Sequence, residues 1–121
     1  MAAQNPGSLD FETLRRAIED RDAETLIGFY AEDAEVRTVN KNETPSSPRV
    51  LRGKEEISEY LREVYGRGMT HRVEDEVVGD DRVAFFEACE YPDGMRVLGA
   101  QTLELRDGKI VRHVNVEAWD E

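Results

Sequence analysis

The sequence predicts an α+β fold, with helices in its first half and a mostly antiparallel sheet that includes its last forty residues. From Arg82 to Glu121, apolar and polar side chains alternate, which is the period of β-strands. Two turn sequences, Pro92-Asp93-Gly94 and Asp107-Gly108, divide this segment into three strands. Upstream, apolar residues recur every three or four positions, as on one face of an amphipathic helix.

Two helices open the predicted order of elements. The first runs from Leu9 to Arg21 and can be capped by Ser8 or Asp10, whose side-chain oxygens accept from free backbone amides. The second begins after Asp22 and ends at Ala31-Glu32-Asp33. The apolar faces of the two helices are formed by Phe11, Leu14, Ala17 and Ile18, and by Leu26, Ile27, Phe29 and Tyr30.

The middle of the sequence combines strands, a loop and a helix. A first strand, Ala34–Val39, leads into Asn40–Pro48, a polar loop with prolines that is predicted to be a mobile lid or rim. A brief strand, Arg49–Arg52, and a helix, Lys54–Tyr65, follow. A long strand, Met69–Val78, then leads through a Gly-Asp-Asp turn into the last three strands.

The last three strands, Arg82–Tyr91, Met95–Arg106 and Lys109–Trp119, each present two rows of side chains. One row mixes apolar and polar groups, as a pocket floor does: Val83, Phe85, Glu87, Cys89, Tyr91, Gly99, Gln101, Leu103, Val111, His113, Asn115 and Glu117. The other row is mostly apolar, as a partner-facing surface is: Ala84, Phe86, Ala88, Leu98, Ala100, Val114, Val116 and Ala118.

Composition favours a soluble cytoplasmic protein. We expect a flexible tail over residues 1–8 and a single domain over residues 9–121. The formal net charge of −11 argues against nucleic acid and against anionic membranes, which attract basic surfaces. No apolar run approaches the ~20 residues of a membrane span. Cys89 is the only cysteine, which excludes an internal disulfide and a multi-cysteine zinc site.

Four segments, Arg21–Leu26, Phe29–Val36, Leu51–Ile57 and Leu103–His113, resemble in order and spacing the SnoaL-like members of the NTF2-like superfamily. The resemblance spans Leu9 to Trp119. It implies a cone-shaped α+β barrel of the ketosteroid isomerase-like and limonene epoxide hydrolase-like type, with three helices of the N-terminal half over the concave face of a strongly bent sheet. It also implies an apolar pocket and homodimers through the sheet, but no single activity.

The catalytic residues of two enzyme groups in this superfamily are absent from the matching positions. The resemblance aligns the arginine and two aspartates of the limonene-epoxide-hydrolase-like enzymes with Glu87, Cys89 and Asn115. The SnoaL-type cyclases place their acid–base aspartate at the position of Asn115, which cannot exchange a proton. A water-activating pair of carboxylates is therefore not supported.

Two further enzyme patterns are also incomplete. The tyrosine and aspartate of the ketosteroid-isomerase-like enzymes align with Leu14 and Thr38. The scytalone-dehydratase-like pattern needs paired histidines with an aspartate, whereas this chain has only His71 and His113. We expect His71, near the start of its strand, to lie at the rim or on the surface.

Glu87 and His113 are the candidate catalytic residues. A carboxylate between Phe85 and Cys89 in an apolar pocket can act as a general acid or base, and His113 could exchange a proton with it. Structural alternatives exist for both. Glu87 could pair with Arg96 or Arg112 or be exposed at the sheet edge, and His113 could be satisfied by the backbone or Asn115.

The candidate ligand-binding residues are polar or aromatic: Tyr30, Tyr60, Cys89, Tyr91, Gln101, Asn115 and Trp119. Gln101 and Asn115 could orient a ligand carbonyl or satisfy each other. Cys89 is expected to be a buried, inert thiol rather than a nucleophile, and the aromatic residues can form pocket wall or core. His113, Glu87 and Glu117 lack a ligand-spacing motif, so we expect no metal and no cofactor.

Three functions remain open on the sequence. The first is a non-catalytic binder of a small apolar or aromatic molecule. The second is an isomerase, cyclase or dehydratase that uses Glu87 and His113. The third is an assembly module whose role is dimerisation. In each case we expect a homodimer through one apolar row of the sheet, formed by Phe86, Leu98, Ala100, Val114 and Val116.

Overall fold

A computed structural model of the chain describes residues 9–120. The predicted tail over residues 1–8, with the alternative cap Ser8, lies outside the described part. The elements follow the predicted order: α1 Phe11–Glu19, α2 Ala23–Gly28, β1 Tyr30–Val39, β2 Arg49–Arg52, α3 Gly53–Tyr65, β3 Thr70–Val78, β4 Arg82–Glu90, β5 Arg96–Arg106 and β6 Lys109–Trp119. Among the described residues, none of the helices is long and apolar enough to cross a membrane.

The six strands form one sheet in the order β2-β1-β6-β5-β4-β3. Only the β1–β6 pair is parallel within the described part, so the sheet is mixed but mostly antiparallel. It is bent and not closed, with β2 and β3 at its edges, and the three helices pack against it and against each other. The predicted α+β class and cone-shaped fold are confirmed.

Aspartate caps start the first two helices. Asp10 and Asp22 each accept a hydrogen bond from the backbone amide three residues on. The helix α1 ends at Glu19, two residues earlier than predicted. Arg21 adopts a φ of 57°, and this left-handed conformation breaks the chain between the helices.

The expected end of the second helix is wrong. Residues 30–33 belong to strand β1 and not to α2. Tyr30 pairs with Ile110 of β6, and the backbone amide of Ile110 donates to the carbonyl of Phe29. This long-range pairing decides the conformation of a segment whose local pattern also suits a helix.

A β-bulge changes which residue of β6 faces inward. The pairing shifts between Glu104 and Leu105, so that Glu104 pairs with Arg112 while Leu105 pairs with Ile110. Ile110 is therefore fully buried in the core, and Val111, predicted to face the pocket, does not line it.

Candidate functional site

A cavity of about 310 Å³ lies between the helices and the concave face of the sheet. Its lining includes residues of α1, α2 and α3, of the loop after β1, and of strands β1, β3, β4, β5 and β6. All nine predicted site residues line it: Tyr30, Tyr60, Glu87, Cys89, Tyr91, Gln101, His113, Asn115 and Trp119. They fall into two separate hydrogen-bonded groups and a rim.

The first group, which we call the Glu87 cluster, consists of Tyr65, His71, Glu87 and Cys89. The Tyr65 hydroxyl donates to Oε2 of Glu87 at 2.8 Å, and Nδ1 of His71 lies 2.9 Å from the same oxygen. Glu87 is only 8% exposed. Since both contacts reach one oxygen, they fit a carboxylate that accepts from the phenol and from an Nδ1–H imidazole.

The expectation that His71 lies at the rim or on the surface is wrong. Its side chain is 0% exposed, because it lies opposite Cys89 in the β3–β4 pairing and its ring packs on Tyr65 at 4.6 Å between centroids. The sequence held a signal for this, since His71 shares its strand face with the buried Val73. Its Nε2 is buried and has no hydrogen-bond partner among the described residues.

The structural alternatives considered for Glu87 do not hold. Its carboxylate contacts His71 and Tyr65, while Arg96 pairs with Glu90. Cys89 lies beside it, with Sγ 3.2 Å from Nδ1 of His71. Burial, and then the charge of Glu87, raise the pKa of the Cys89 thiol. The sulfur is thus a thiol at neutral pH, and the residue is half-buried rather than buried as expected.

The second group, which we call the Tyr30–Glu117 chain, runs along the cavity wall. The Tyr30 hydroxyl lies 2.9 Å from Nδ1 of His113, whose Nε2 contacts Oε1 of Gln101. Nε2 of Gln101 donates to Asn115 at 2.7 Å, and Nδ2 of Asn115 donates to Glu117 at 3.1 Å. Gln101 and Asn115 therefore satisfy each other, and His113 is satisfied by Tyr30 and Gln101 rather than by Asn115.

Glu117 sets the direction of hydrogen-bond donation in the Tyr30–Glu117 chain, from the outer end of that chain. Nδ2 of Asn40 and the indole nitrogen of Trp119 both donate to Oε1 of Glu117, at 3.0 and 3.3 Å. A carboxylate surrounded by donors can only accept, so Asn115 must turn its amide nitrogen toward Glu117. The carbonyl oxygen of Asn115 is then the acceptor for the next residue in the chain.

The direction of hydrogen-bond donation is then fixed residue by residue, from Asn115 inward to Tyr30. Gln101 uses its amide nitrogen on Asn115, which leaves its oxygen to accept from Nε2–H of His113. The Nδ1 of a neutral His113 is then an acceptor, and Tyr30 must donate its hydroxyl proton to it. The phenol oxygen of Tyr30 is left with lone pairs and no proton for the cavity.

Burial keeps His113 and Tyr30 neutral. It lowers the pKa of His113 to about 4, against a smaller opposing effect of the Glu87 charge. Burial also raises the pKa of the Tyr30 phenol, and the charge of Glu87 adds to it. His113 is therefore an imidazole near neutral pH, which agrees with one donating and one accepting nitrogen.

Gly99 is a site residue that the functional interpretation of the sequence missed. A Cβ atom at this position would lie 2.7 Å from Nε2 of Gln101 and 2.8 Å from Oδ1 of Asn115. The hydrogen bond between these two amides thus requires a residue without a side chain beside it. Its only signal in the sequence is a glycine in the middle of a strand.

The rim of the cavity is formed in part by the loop that follows β1. Asn40, Asn42 and Glu43 of this loop line the cavity, as predicted for a rim. Lys41 lies over the ring of Trp119 at 5.2 Å, and Arg49 lies over Tyr60 at 5.1 Å.

Metal-ligating atoms come together at one place in the described part of the chain. Ligand atoms of His71, Glu87 and Cys89 all lie within 4.8 Å of one another. The set considered from the sequence, His113, Glu87 and Glu117, is not brought together, because His113 uses both nitrogens in the Tyr30–Glu117 chain.

Comparisons with known proteins agree with this architecture. The family model described as SnoaL-like domain matches residues 11–113. An NTF2-like protein of unknown function from Mesorhizobium loti superposes with a TM-score of 0.77 at 17% identity, covering 89% of this chain and 87% of that one. A comparison with curated proteins finds no match.

Two structures with enzyme names are also similar. A candidate ketosteroid isomerase from Kribbella flavida DSM 17836 gives a TM-score of 0.71 at 20% identity, covering 92% of this chain and 75% of that one. The epoxide hydrolase/cyclase-like enzyme SalBIII, named for a role in pyran ring formation in the polyether salinomycin, gives a TM-score of 0.68 at 19% identity. The match covers 89% of this chain and 87% of that one. At these identities the likeness concerns the fold alone. With the family model covering most of its length, the chain belongs to the SnoaL-like domain family.

Proposed function

We propose that the cavity binds a small, mainly apolar or aromatic molecule that carries a hydroxyl or amine hydrogen-bond donor. The fixed direction of the Tyr30–Glu117 chain carries this proposal. The volume of about 310 Å³ lies at the lower end of the range of small-molecule pockets, roughly 300–1,000 Å³. A molecule of one or two rings fits such a volume.

The ligand chemistry follows from the phenol oxygen of Tyr30. Tyr30 lines the cavity, and its proton is directed to His113. A ligand O–H or N–H can donate to the remaining lone pair, whereas a ligand carbonyl would meet that lone pair with no proton between the two oxygens. One such hydrogen bond changes the binding free energy by about 0.5–1.5 kcal/mol, and an unpaired buried acceptor costs more.

Cyclohexanol is expected to bind roughly tenfold more tightly than cyclohexanone, because only the alcohol can donate to Tyr30. Phenol and anisole form a second matched pair. Binding can be followed by the fluorescence of Trp119, which is the only tryptophan of the chain and lines the cavity. Equal affinities within both pairs, or tighter binding of the ketone and the ether, would contradict the proposal.

Two variants identify which residues cause the preference for the alcohol over the ketone. Tyr30→Phe removes the acceptor, so the preference for the alcohol should disappear. Glu117→Gln is isosteric but can donate to Asn115, which allows the whole chain to reverse and Tyr30 to donate into the cavity. The preference should then fall or invert in Glu117→Gln. An unchanged preference in that variant would show that Glu117 does not set the direction.

An enzyme of the isomerase or cyclase type is the second candidate, favoured by the names of similar structures. Glu87 and His113 line one cavity, as the sequence-based hypothesis requires, but they belong to different hydrogen-bonded groups. Proton exchange at His113 would require a ligand to displace Tyr30 or Gln101. Incubation with each bound compound, followed by mass spectrometry and NMR, separates the two functions: a rearranged product indicates an enzyme, and unchanged compound indicates a binder.

We further propose that the protein forms a homodimer through the outer face of the sheet. Phe86, Leu98 and Val116 are 39%, 44% and 48% exposed on this face. Ala100 lies between Phe86 and Val116 in the strand pairing, and Val114 lies two residues along β6 from Val116. A contiguous apolar surface of this kind is typical of a protein–protein interface. A dimer without any ligand would favour the assembly-module alternative.

Phe86→Glu is expected to weaken the dimer by at least about tenfold, because it would bury a charge in the apolar centre of the interface. Val78→Glu is the control, since Val78 is 51% exposed and pairs with the buried Val83, on the side of the sheet opposite to Phe86. Sedimentation velocity should show a dimer for the wild type and the control. A monomeric wild type at micromolar concentration would contradict the proposed dimer.

A further inference from the structure

We propose that His71, Glu87 and Cys89 form a binding site for a divalent transition-metal ion, such as Zn²⁺ or Co²⁺, at the wall of the cavity. The site is independent of the proposed hydrogen-bond preference at Tyr30. It differs from the expectation of no metal, which considered only sets built around His113.

The separations of the donor atoms suit one metal ion. Nδ1 of His71 lies 2.9 Å from Oε2 of Glu87 and 3.2 Å from Sγ of Cys89, and Sγ lies 3.8 Å from Oε2. Zinc bonds of about 2.0–2.3 Å in a tetrahedral site place neighbouring donors roughly 3.4–3.6 Å apart. Each separation thus needs to change by only about half an ångström or less to admit the ion.

The donor set determines the class of metal. A thiolate, an imidazole and a single carboxylate suit zinc, cobalt, copper and iron, whereas magnesium and calcium prefer oxygen ligands alone. Three protein ligands leave a fourth position of a tetrahedral ion open. All three residues line the cavity, so that this position can take water or a ligand atom, as in catalytic zinc sites.

The strand pairing around the donors already orients them toward one another. His71 faces Cys89 directly across the β3–β4 pair, and Glu87 lies two residues before Cys89 on the same strand face. The Tyr65 hydroxyl holds Oε2 of Glu87 at 2.8 Å, in the way that outer partners orient metal-bound carboxylates. Backbone pairing and packing therefore preform the three-residue arrangement.

The second ring nitrogen of His71 is incompletely bonded. The side chain is 0% exposed, yet its Nε2 has no partner among the described residues. This nitrogen would not contact the metal, which uses Nδ1, but it has the free lone pair that accepts the proton given up by Nδ1.

Metal binding requires a balanced movement of two protons. The thiol of Cys89 loses its proton to solvent as the metal–sulfur bond forms. The imidazole proton moves from Nδ1 to Nε2 of His71, which frees the Nδ1 lone pair for the metal. Glu87 exchanges its hydrogen bond from His71 for the metal and retains the one from Tyr65.

Titration of chelator-treated, tag-free protein with Co²⁺ tests the site. We expect one Co²⁺ per chain, with tetrahedral visible absorption and a near-ultraviolet thiolate-to-cobalt band, both lost on addition of Zn²⁺. Because Cys89 is the only cysteine, that band can arise only from this site. Absence of the band at saturating Co²⁺ would overturn the proposal.

Matched variants separate this site from adventitious binding. Cys89→Ser should abolish the thiolate band, and His71→Asn should weaken binding by at least about tenfold. His113→Asn changes the only other histidine, which lies in the Tyr30–Glu117 chain, and should leave Co²⁺ binding unchanged. Should the first two variants not fold, X-ray absorption of the zinc-loaded wild type decides: one sulfur per zinc supports the site, and none overturns it.

Discussion

Lowering the pH from 7 to 4 is expected to reduce the free energy of unfolding by about 3 kcal/mol through His113 alone. Burial lowers the pKa of His113 in the folded protein to about 4, whereas an unfolded histidine has a pKa near 6.5. Between these values the unfolded chain takes up a proton that the folded chain does not. Stability contributed by neutral His113 is therefore present above pH 6.5 and is lost as the pH falls toward 4.

Urea unfolding of the wild type and of His113→Asn at pH 7, 5.5 and 4 measures this effect. Many carboxylates titrate in the same range, so the informative quantity is the difference between the two proteins at each pH. The variant loses hydrogen bonds to Tyr30 and Gln101 and should be less stable at pH 7. At pH 4 the stability advantage of the wild type over His113→Asn should be smaller by about 3 kcal/mol than at pH 7. If the difference in free energy of unfolding between the two proteins does not depend on pH, His113 titrates normally in the folded protein.

The sequence predicted the fold well because its strongest signals are local. Asp107 and Gly108 adopt φ angles of 54° and 76°, as the Asp-Gly turn requires. Asp10 and Asp22 cap helices because each has a free amide three residues on. These features depend on neighbouring residues alone, so a single sequence contains them.

The errors occurred where distant parts of the chain decide the structure. Tyr30 suits a helix by local pattern, but the parallel pairing with β6 makes it the first residue of a strand. Val111 alternates correctly with its neighbours, but the bulge opposite Leu105 places Ile110 inside instead. Neither the partner strand nor its register can be obtained from alternation within one strand.

The same limit applies to the candidate site. Alternation placed Glu87, His113 and Asn115 on the inner face, and all three line the cavity. It could not show that Glu87 meets Tyr65 from helix α3 and His71 from strand β3. Which face a side chain occupies depends on its own strand, but which atoms it contacts depends on how helices and strands pack together.

Replacing His71 with Leu is expected to destabilise the protein by about 3 kcal/mol. The side chain of Glu87 is 10% exposed, and His71 and Tyr65 are its hydrogen-bond donors. Leucine fills much of the space of the imidazole but leaves the carboxylate in an apolar environment with one donor fewer. Removing a hydrogen-bond donor from a buried carboxylate is costly, because apolar surroundings do not replace the lost hydrogen bond. Chemical unfolding at pH 7 measures the loss.

A second change, at Glu87, shows whether the stability lost in His71→Leu comes from the carboxylate of Glu87 without its donor or from lost packing around His71. Glu87→Gln removes the charge, keeps the shape, and still accepts from Tyr65. If the carboxylate causes the loss, His71→Leu with Glu87→Gln should be more stable than His71→Leu alone, and the two changes should be strongly non-additive. If the double variant is no more stable, the cost arises from packing against Tyr65, whose ring lies 4.6 Å from that of His71. Recovery in the double variant would show that His71 is retained to hold a buried carboxylate inside the cavity.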